Sequence, residues 1–502
     1  MSKKIIISFR SVFIYSLIFV FILNSLVLIG KDKKNKAIFT GNIKIESSNL
    51  KLKVGFCKYY INGVGNETTW KEVKVDKNGN FKFLIENISG IGRVVVYEYE
   101  NYIQLLKSDI VEPGDSIDIQ IDADQGKNIR KFNGRGDGKY RCISALDTVN
   151  YNIFYDYRND VDVNLKFDSL KNEMLNILAS YKENISDSAY NIMYNDVVGK
   201  LAYAYIYSVY GDIPDSLSKK EYDSIRVDFK KFNHAITGNG NYEYLSPGMI
   251  SYLFDREKID MILENNGKNP TFDSFYAKIK NTYDGKLREQ LIAYCFKNKL
   301  DINFVFGGVD PFVYKKSLED ALKIVSTPVL RNVIMEEYSK RAAGAKIYNF
   351  SLPKDSSNEL VHFSDLKGKV ILLDFWGYTC TGCYLFARAF HEKIFPLFRT
   401  DTNFLVVSIM LDRTAGYEHY LRRIRRIGNT TYTYPDYLNL YGGKDIKDAM
   451  DLKDYYNIDI YPTIFVINKK GELVSSTIPY FNDSQSKNVP LLAELIRKTL
   501  AD

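Results

Sequence analysis

The chain has 502 residues, of which 45% are hydrophobic, 26% charged and 14% aromatic, with 12 Pro and 31 Gly. That length predicts about three domains, and the balance excludes a mostly disordered, collagen-like or multi-pass membrane chain. The net charge of +7 (68 Lys and Arg against 61 Asp and Glu) comes with no basic run flanked by aromatics, so no nucleic-acid partner is expected, and five cysteines are too few for a disulfide scaffold.

Residues 1–35 form the first segment. Lys3, Lys4 and Arg10 precede an uncharged run, Ser11 to Gly30, that reads SVFIYSLIFVFILNSLVLIG. As a helix it is just long enough to cross a bilayer core of ~30 Å. No A-x-A-like cleavage site follows, and no Cys in or after the run could take a lipid. The reading is a membrane anchor, with a cleaved export signal as the alternative. Either one directs the chain to a membrane or to export. Lys31, Lys33, Lys34 and Lys36 after the run leave the orientation open.

Residues 36–132 are expected to form an all-β, sandwich-like domain. KAIFTGNIKI, KEVKVDKNGNFKFLI, GRVVVYEYE and DSIDIQID alternate apolar and polar residues, as half-buried strands do. Asn78-Gly79 between two such runs predicts a hairpin turn. The flanking Asp76, Asn78 and Asn80 suggest a calcium loop but lack its later acidic ligand. Glu112-Pro113-Gly114-Asp115 predicts a turn leading into a strand, and an antiparallel sandwich or half-barrel is the expected form.

Residues 133–344 open on a glycine-rich joint, Asn133 to Gly138, and then turn helical. FDSLKNEMLNILASYKEN and SAYNIMYNDVVGKLAYAYIYSVYG repeat apolar residues every three to four positions. Pro328 suits the first turn of a helix, Val329, Leu330, Val333 and Ile334 give that helix a face, and Gly344 is expected to end it. Tyrosine-rich stripes here are read as packing.

Residues 345–502 carry the chemistry. KVILLDFW, Lys369 to Trp376, predicts a buried strand. Gly377-Tyr378-Thr379-Cys380-Thr381-Gly382-Cys383 follows, and then a helical pattern. A C-x-x-C is thereby placed where a strand hands over to a helix. The helix N-terminus favours a thiolate on the first Cys, and the spacing puts the second sulfur within reach of a disulfide. Zinc would need two more closely spaced ligands, whereas Cys57, Cys142 and Cys295 are isolated and His391 lies on the following helix; no metal is expected. A purely structural disulfide is the remaining alternative. Cys57, Cys142 and Cys295 read as buried thiols, with a third redox partner as the lesser possibility. Ile458 to Thr463 leads into IFVINKKGELV, and a Pro entering a buried strand makes sense as a cis-Pro beside an active site. A trans Pro at a sheet edge is the other reading.

DFWGYTCTGC followed by YPTIFVINKKGELV resembles the thioredoxin superfamily. NELVHFSDLKGKVILLDFW looks like the membrane-anchored TlpA/ResA-type branch, and the β domain with the helical region looks like the N-terminal extension of envelope members. The resemblance implies an α/β thioredoxin-like domain, a central mixed sheet flanked by helices, on the periplasmic side of the inner membrane. It implies Cys380 as nucleophile, Cys383 as resolving thiol and Asp374 as the buried acid that assists proton transfer at Cys383. Trp376 would pack beneath the active-site loop, and Tyr461 and Pro462 would form the loop that pairs with an extended substrate segment; these three are the expected substrate-binding residues. The implied partners are a protein disulfide substrate and a membrane-embedded or envelope electron donor, with no cofactor. Thr381-Gly382 replaces the Gly-Pro of thioredoxin. Tyr384, Leu385, Phe386 and Ala387 stand where many ResA-type proteins carry a Glu, which argues against specialisation for apocytochrome c. The expected function is thiol–disulfide exchange in the reductive direction. The alternatives are a binding or scaffold protein with a vestigial thioredoxin domain, and a peroxidase, whose P-x-x-x-T-x-x-C loop is missing its Thr.

Overall fold

Alternation of apolar and polar side chains carries through, among the described residues of the first part of the chain, into eight strands: β1 (Ala37–Lys44), β2 (Lys51–Cys57), β3 (Thr69–Lys74), β4 (Asn80–Ile85), β5 (Gly92–Glu98), β6 (Gln104–Val111), β7 (Ser116–Asp122) and β8 (Ile129–Arg135). The computed structural model describes residues 35–502 apart from 45–49, 58–68, 89, 99–103, 123–128, 150–162, 212, 215, 237–245, 300, 355–358, 413–414, 425–431, 459 and 479–487. The apolar run Ser11–Gly30 lies outside the described residues. Among those described, no helix is long and apolar enough to cross a membrane. The described residues fall into two compact units, one drawn from 35–212 and 236–252, the other from 213–235 and 253–502.

In the first unit the strands make two four-stranded sheets, ordered β4-β1-β7-β8 and β3-β2-β5-β6. Phe39, Phe83, Ile117 and Ile119 from one sheet share a core with Leu52, Val54, Val94 and Val96 from the other, which makes the domain a sandwich. The pairing is antiparallel throughout except between β1 and β7, which run parallel with Phe39 opposite Ile117. The expected hairpin at Asn78-Gly79 is corrected. The turn forms: Asp76 Oδ1 accepts the N–H groups of Asn78 (2.8 Å) and Asn80 (2.9 Å), and Gly79 sits at φ +81°. The strands on either side, however, part into opposite sheets. The Ile43 N–H bonds the Gly79 carbonyl at 2.9 Å, which captures β4 for β1 rather than for β3. The supposed joint at Asn133–Gly138 is corrected as well. Asn133 to Arg135 complete β8, and Gly134 (φ +126°) lies so close to the Ser116 carbonyl that a side chain has no room. The helices Gly138–Leu146, Val163–Ser180 and Asp187–Tyr210 follow; the last is capped by Ser186, whose side chain accepts the Ala189 N–H.

In the second unit, helices Phe272–Thr282, Gly285–Lys297, Pro311–Ile324 and Pro328–Arg341 precede the α/β part. Pro328 opens the last of these and Val329, Leu330, Val333 and Ile334 are buried. The helix stops at Arg341, before Gly344. Gly344 (φ +92°) instead turns the chain so that its N–H reaches the Leu473 carbonyl, 2.8 Å away. The Arg341 carbonyl accepts the Ser476 hydroxyl at 2.9 Å, and its guanidinium donates to the Tyr456 carbonyl. Glu337 lies buried among Lys297, Lys299 and Arg341. The α/β part contributes β9 (Ser351–Pro353), β10 (Leu360–His362), β11 (Val370–Trp376), β12 (Phe404–Leu411), β13 (Leu438–Gly442), β14 (Thr463–Ile467) and β15 (Leu473–Ser475). β9 and β10 pair as a short hairpin; the other five form a mixed sheet ordered β13-β12-β11-β14-β15. β11 runs parallel to β12 and antiparallel to β14, and every residue in it is buried, as a central strand with both faces covered requires. Its Ile371, Leu373 and Phe375 enter one core with Leu452 and Tyr456 of the helix Lys447–Tyr456. Val370 and Leu372 enter the opposite core with Phe386 and Phe390 of the helix Thr381–Lys393 and Leu492 and Ile496 of the helix Asn488–Ala501.

Candidate active site

The end of β11 delivers the C-x-x-C. Alternation along the strand puts Asp374 and Trp376 on the face of Val370 and Leu372, the face covered by the helix that carries Cys383. Gly377 to Cys380 form a turn, with the Cys380 N–H on the Gly377 carbonyl at 3.2 Å, and Cys380 caps the helix Thr381–Lys393. Its Sγ accepts the Cys383 N–H at 3.0 Å, one of the donors a helix start leaves unpaired. The two sulfurs are joined, S–S 2.03 Å, with their Cα atoms 5.3 Å apart. Cys380 is half-buried and Cys383 is only 1% exposed. An incoming sulfur can therefore reach the first and not the second.

Asp374 is 3% exposed, and its Oδ1 has no hydrogen-bond partner among the described residues. Burial alone pushes its carboxyl up from an ordinary 3.8 to about 8, because the charged form is stripped of water without a compensating donor or cation. Trp376 is buried, and its indole N–H donates to Ser408 Oγ on β12 at 3.0 Å. It supports the loop from beneath, and the expectation that it lies at a substrate-binding surface is corrected: the indole has no exposed face to offer a partner. The Tyr461–Pro462 peptide is cis. The Tyr461 hydroxyl donates to the Leu411 carbonyl and accepts Lys453 Nζ at 2.6 Å. The Tyr461 ring lies against Gly377, where a Cβ would meet its Cδ2 at 3.0 Å. The cis-Pro loop and the C-x-x-C loop are thus in direct contact, and Pro462 is buried.

A further group was not singled out in the sequence. Tyr378, two residues before Cys380, is held on three sides. Its N–H donates to Asp412 Oδ2 at 3.0 Å, its carbonyl accepts Arg423 Nε at 2.9 Å, and its ring meets His419 edge-on at 4.7 Å. His419 and Arg423 belong to the helix Tyr417–Ile424, part of the long stretch between β12 and the cis-Pro. The nearest sequence signal is the segment YLRRIRR, which carries no hint of a contact with Tyr378. Tyr420, Tyr432 and Tyr441 close an aromatic shell with Trp376 and Cys383. His391 stacks on Tyr434 at 3.5 Å, and Cys57, Cys142 and Cys295 are buried. Among the described residues no group of three His, Cys, Asp or Glu side chains converges to hold a metal ion.

Residues 368–473 match the family model described as thioredoxin-like. Among curated proteins no sequence match is found. Several solved structures are similar. The thioredoxin domain of a thiol-disulfide oxidoreductase from Bacteroides vulgatus is 21% identical, with 30% of this chain and 96% of that one covered and a TM-score of 0.25. A thiol:disulfide interchange protein from Bacteroides sp. is 20% identical, with 31% and 91% covered and a TM-score of 0.25. A thioredoxin-like protein from Bacteroides caccae is 12% identical, with 60% and 93% covered and a TM-score of 0.34. The family-model match and the mixed sheet identify the C-terminal part of the chain as a thioredoxin-like domain, and it carries a C-x-x-C disulfide.

Proposed function

We propose that this protein is an envelope thiol–disulfide oxidoreductase of the TlpA/ResA type that reduces protein disulfides. The observation that carries the reading is the asymmetry of the two sulfurs: Cys380 half-buried at a helix N-cap with the Cys383 N–H on its Sγ, and Cys383 enclosed. In the reduced protein the Cys380 thiolate attacks one sulfur of a substrate disulfide. A Cys380–substrate bond forms, the substrate S–S bond breaks, and one substrate thiolate leaves and takes a proton. Cys383 then gives up its proton and attacks Cys380 Sγ. The Cys380–Cys383 bond forms, the mixed disulfide breaks, and the second substrate thiol is released. The substrate gains two electrons and the C-x-x-C loses two. Asp374, on the Cys383 face of β11, is the group that exchanges the Cys383 proton; a carboxyl held near 8 suits that task at neutral pH. Tyr461 and Pro462 support the substrate segment from beside the C-x-x-C loop.

The uncharged run Ser11–Gly30 supports a tether to the inner membrane, with the remainder on the periplasmic side and an envelope or membrane-embedded donor returning the electrons. The test is reduction of insulin by the reduced full chain, with Cys380→Ser and Cys383→Ser variants alongside. Activity lost in both, with a trapped mixed disulfide only in Cys383→Ser, is the expected result. A folded, reduced chain that leaves insulin untouched would instead favour the binding-protein reading.

A further inference from the structure

We propose that Arg423 is a positioning residue for Cys380: its guanidinium clamps the turn that presents the sulfur and supplies a positive charge that favours the thiolate. The inference rests on the reading of Cys380 as the attacking thiol. Arg423 Cζ lies 4.5 Å from the Tyr378 ring centroid and 4.8 Å from that of Tyr432, so the side chain is stacked against two aromatic faces. Its Nε–H is spent on the Tyr378 carbonyl. Tyr378 is the second residue of the turn Gly377–Cys380, whose ends are closed by the Cys380 N–H on the Gly377 carbonyl. The ends of such a turn lie within about 7 Å of one another, so the cation bonds the same turn that ends in the reactive sulfur. Among the described residues no carboxylate forms an ion pair with Arg423. Its charge acts from the carbonyl side of Tyr378 through a half-buried aromatic shell where screening is weaker than in bulk water; the other titratable groups at this residue are Asp412 on its N–H and His419 edge-on to its ring. Asp412, one residue beyond β12, takes the Tyr378 N–H, so both backbone polar groups of this residue are fixed from outside the loop. A merely structural clamp would need the hydrogen bond; a thiolate effect needs the charge. Lysine can keep much of the charge but cannot reproduce a planar donor stacked between two rings.

The experiment uses the reduced full chain and measures the pH midpoint for alkylation of Cys380, with the labelled site read by mass, in wild type, Arg423→Met, Arg423→Lys and the exposed neighbour Arg422→Met. Loss of the cation should raise the midpoint by about half to one pH unit in Arg423→Met, least in Arg423→Lys, and not in Arg422→Met. The same loss destabilises the reduced form, so equilibration with glutathione should shift about threefold toward the disulfide in Arg423→Met. Raising the salt from 0.05 to 1 M should raise the wild-type midpoint and leave that of Arg423→Met unmoved, and Arg423→Gln serves as the second uncharged variant if Arg423→Met folds poorly. An unchanged midpoint and glutathione equilibrium in folded Arg423→Met, or a salt response shared by both, overturns the inference. If wild-type Cys380 itself shows no preferential alkylation, the failure belongs to the proposed function.

Discussion

Replacing Asp374 with Asn should strengthen the fold and weaken the enzyme at once. Asp374 is an acid whose folded value, about 8, stands above its ordinary 3.8. Between those values the unfolded chain holds the carboxylate and the native chain holds the acid, so folding takes up a proton. At pH 7 that is a penalty of about three pH units at about 1.36 kcal/mol each, or ~4 kcal/mol. The stability this carboxyl allows is complete below pH 4, falls as pH rises, and levels off above pH 8. Asn has no proton to take up. Asp374→Asn should therefore match wild type near pH 4 and exceed it at pH 8.5, where the full penalty of about 5.5 kcal/mol applies, with a urea midpoint higher by about 2 M for a slope of about 3 kcal/mol per M. Fluorescence of Trp376, buried two residues away on the same face, reports the transition. In stopped-flow mixing with a protein disulfide, formation of the mixed disulfide should stay near normal while its release slows by about 10²-fold or more. A midpoint gain equal at both pH values would show that Asp374 is not the titrating group, and unchanged release would remove it from the mechanism.

Three further outcomes follow from the same geometry. Iodoacetamide at mildly acidic pH should label Cys380 before Cys383, because only the first caps the helix and meets solvent; equal labelling contradicts the assignment. Gly377→Ala puts a Cβ 3.0 Å from the Tyr461 ring and should cost about 1 kcal/mol of stability together with a fall in turnover, checked by thermal melting and insulin reduction; no change in either would show that the two loops do not need this close contact. Glu337→Gln leaves Lys297, Lys299 and Arg341 buried without their shared carboxylate and should destabilise by about 3–5 kcal/mol, read as a lowered denaturation midpoint. A loss below ~1 kcal/mol would mean that water already reaches the cluster.

What could be read in advance follows the range of the interaction. The C-x-x-C at a strand–helix junction, the buried β11 and the face of the helix Pro328–Arg341 are set by neighbours a few residues apart, and all three are legible as period and spacing. The turn at Asn78-Gly79 was legible for the same reason. The destination of its strands was not, because a bond from Ile43 decides it. The parallel pairing of β1 with β7 joins residues such as Phe39 and Ile117, and neither sequence marks the other. The joint at Asn133–Gly138 misled because glycine there serves close approach to Ser116 rather than flexibility. The grip on Tyr378 by Asp412, His419 and Arg423 lay hidden for the same reason as the β1–β7 pair. Each of these residues is unremarkable in its own window, and only the sheet brings β12 and its following helix alongside the end of β11.

The unequal exposure of the two sulfurs has a kinetic meaning. With Cys383 sealed, Cys380 is the accessible sulfur of the pair, and on the proposed function a protein substrate and an electron donor would both have to dock on it. They cannot occupy it together. Each visitor leaves before the other arrives, so the two half-reactions alternate in time, and an abundant substrate held at the port inhibits its own turnover by keeping the donor out.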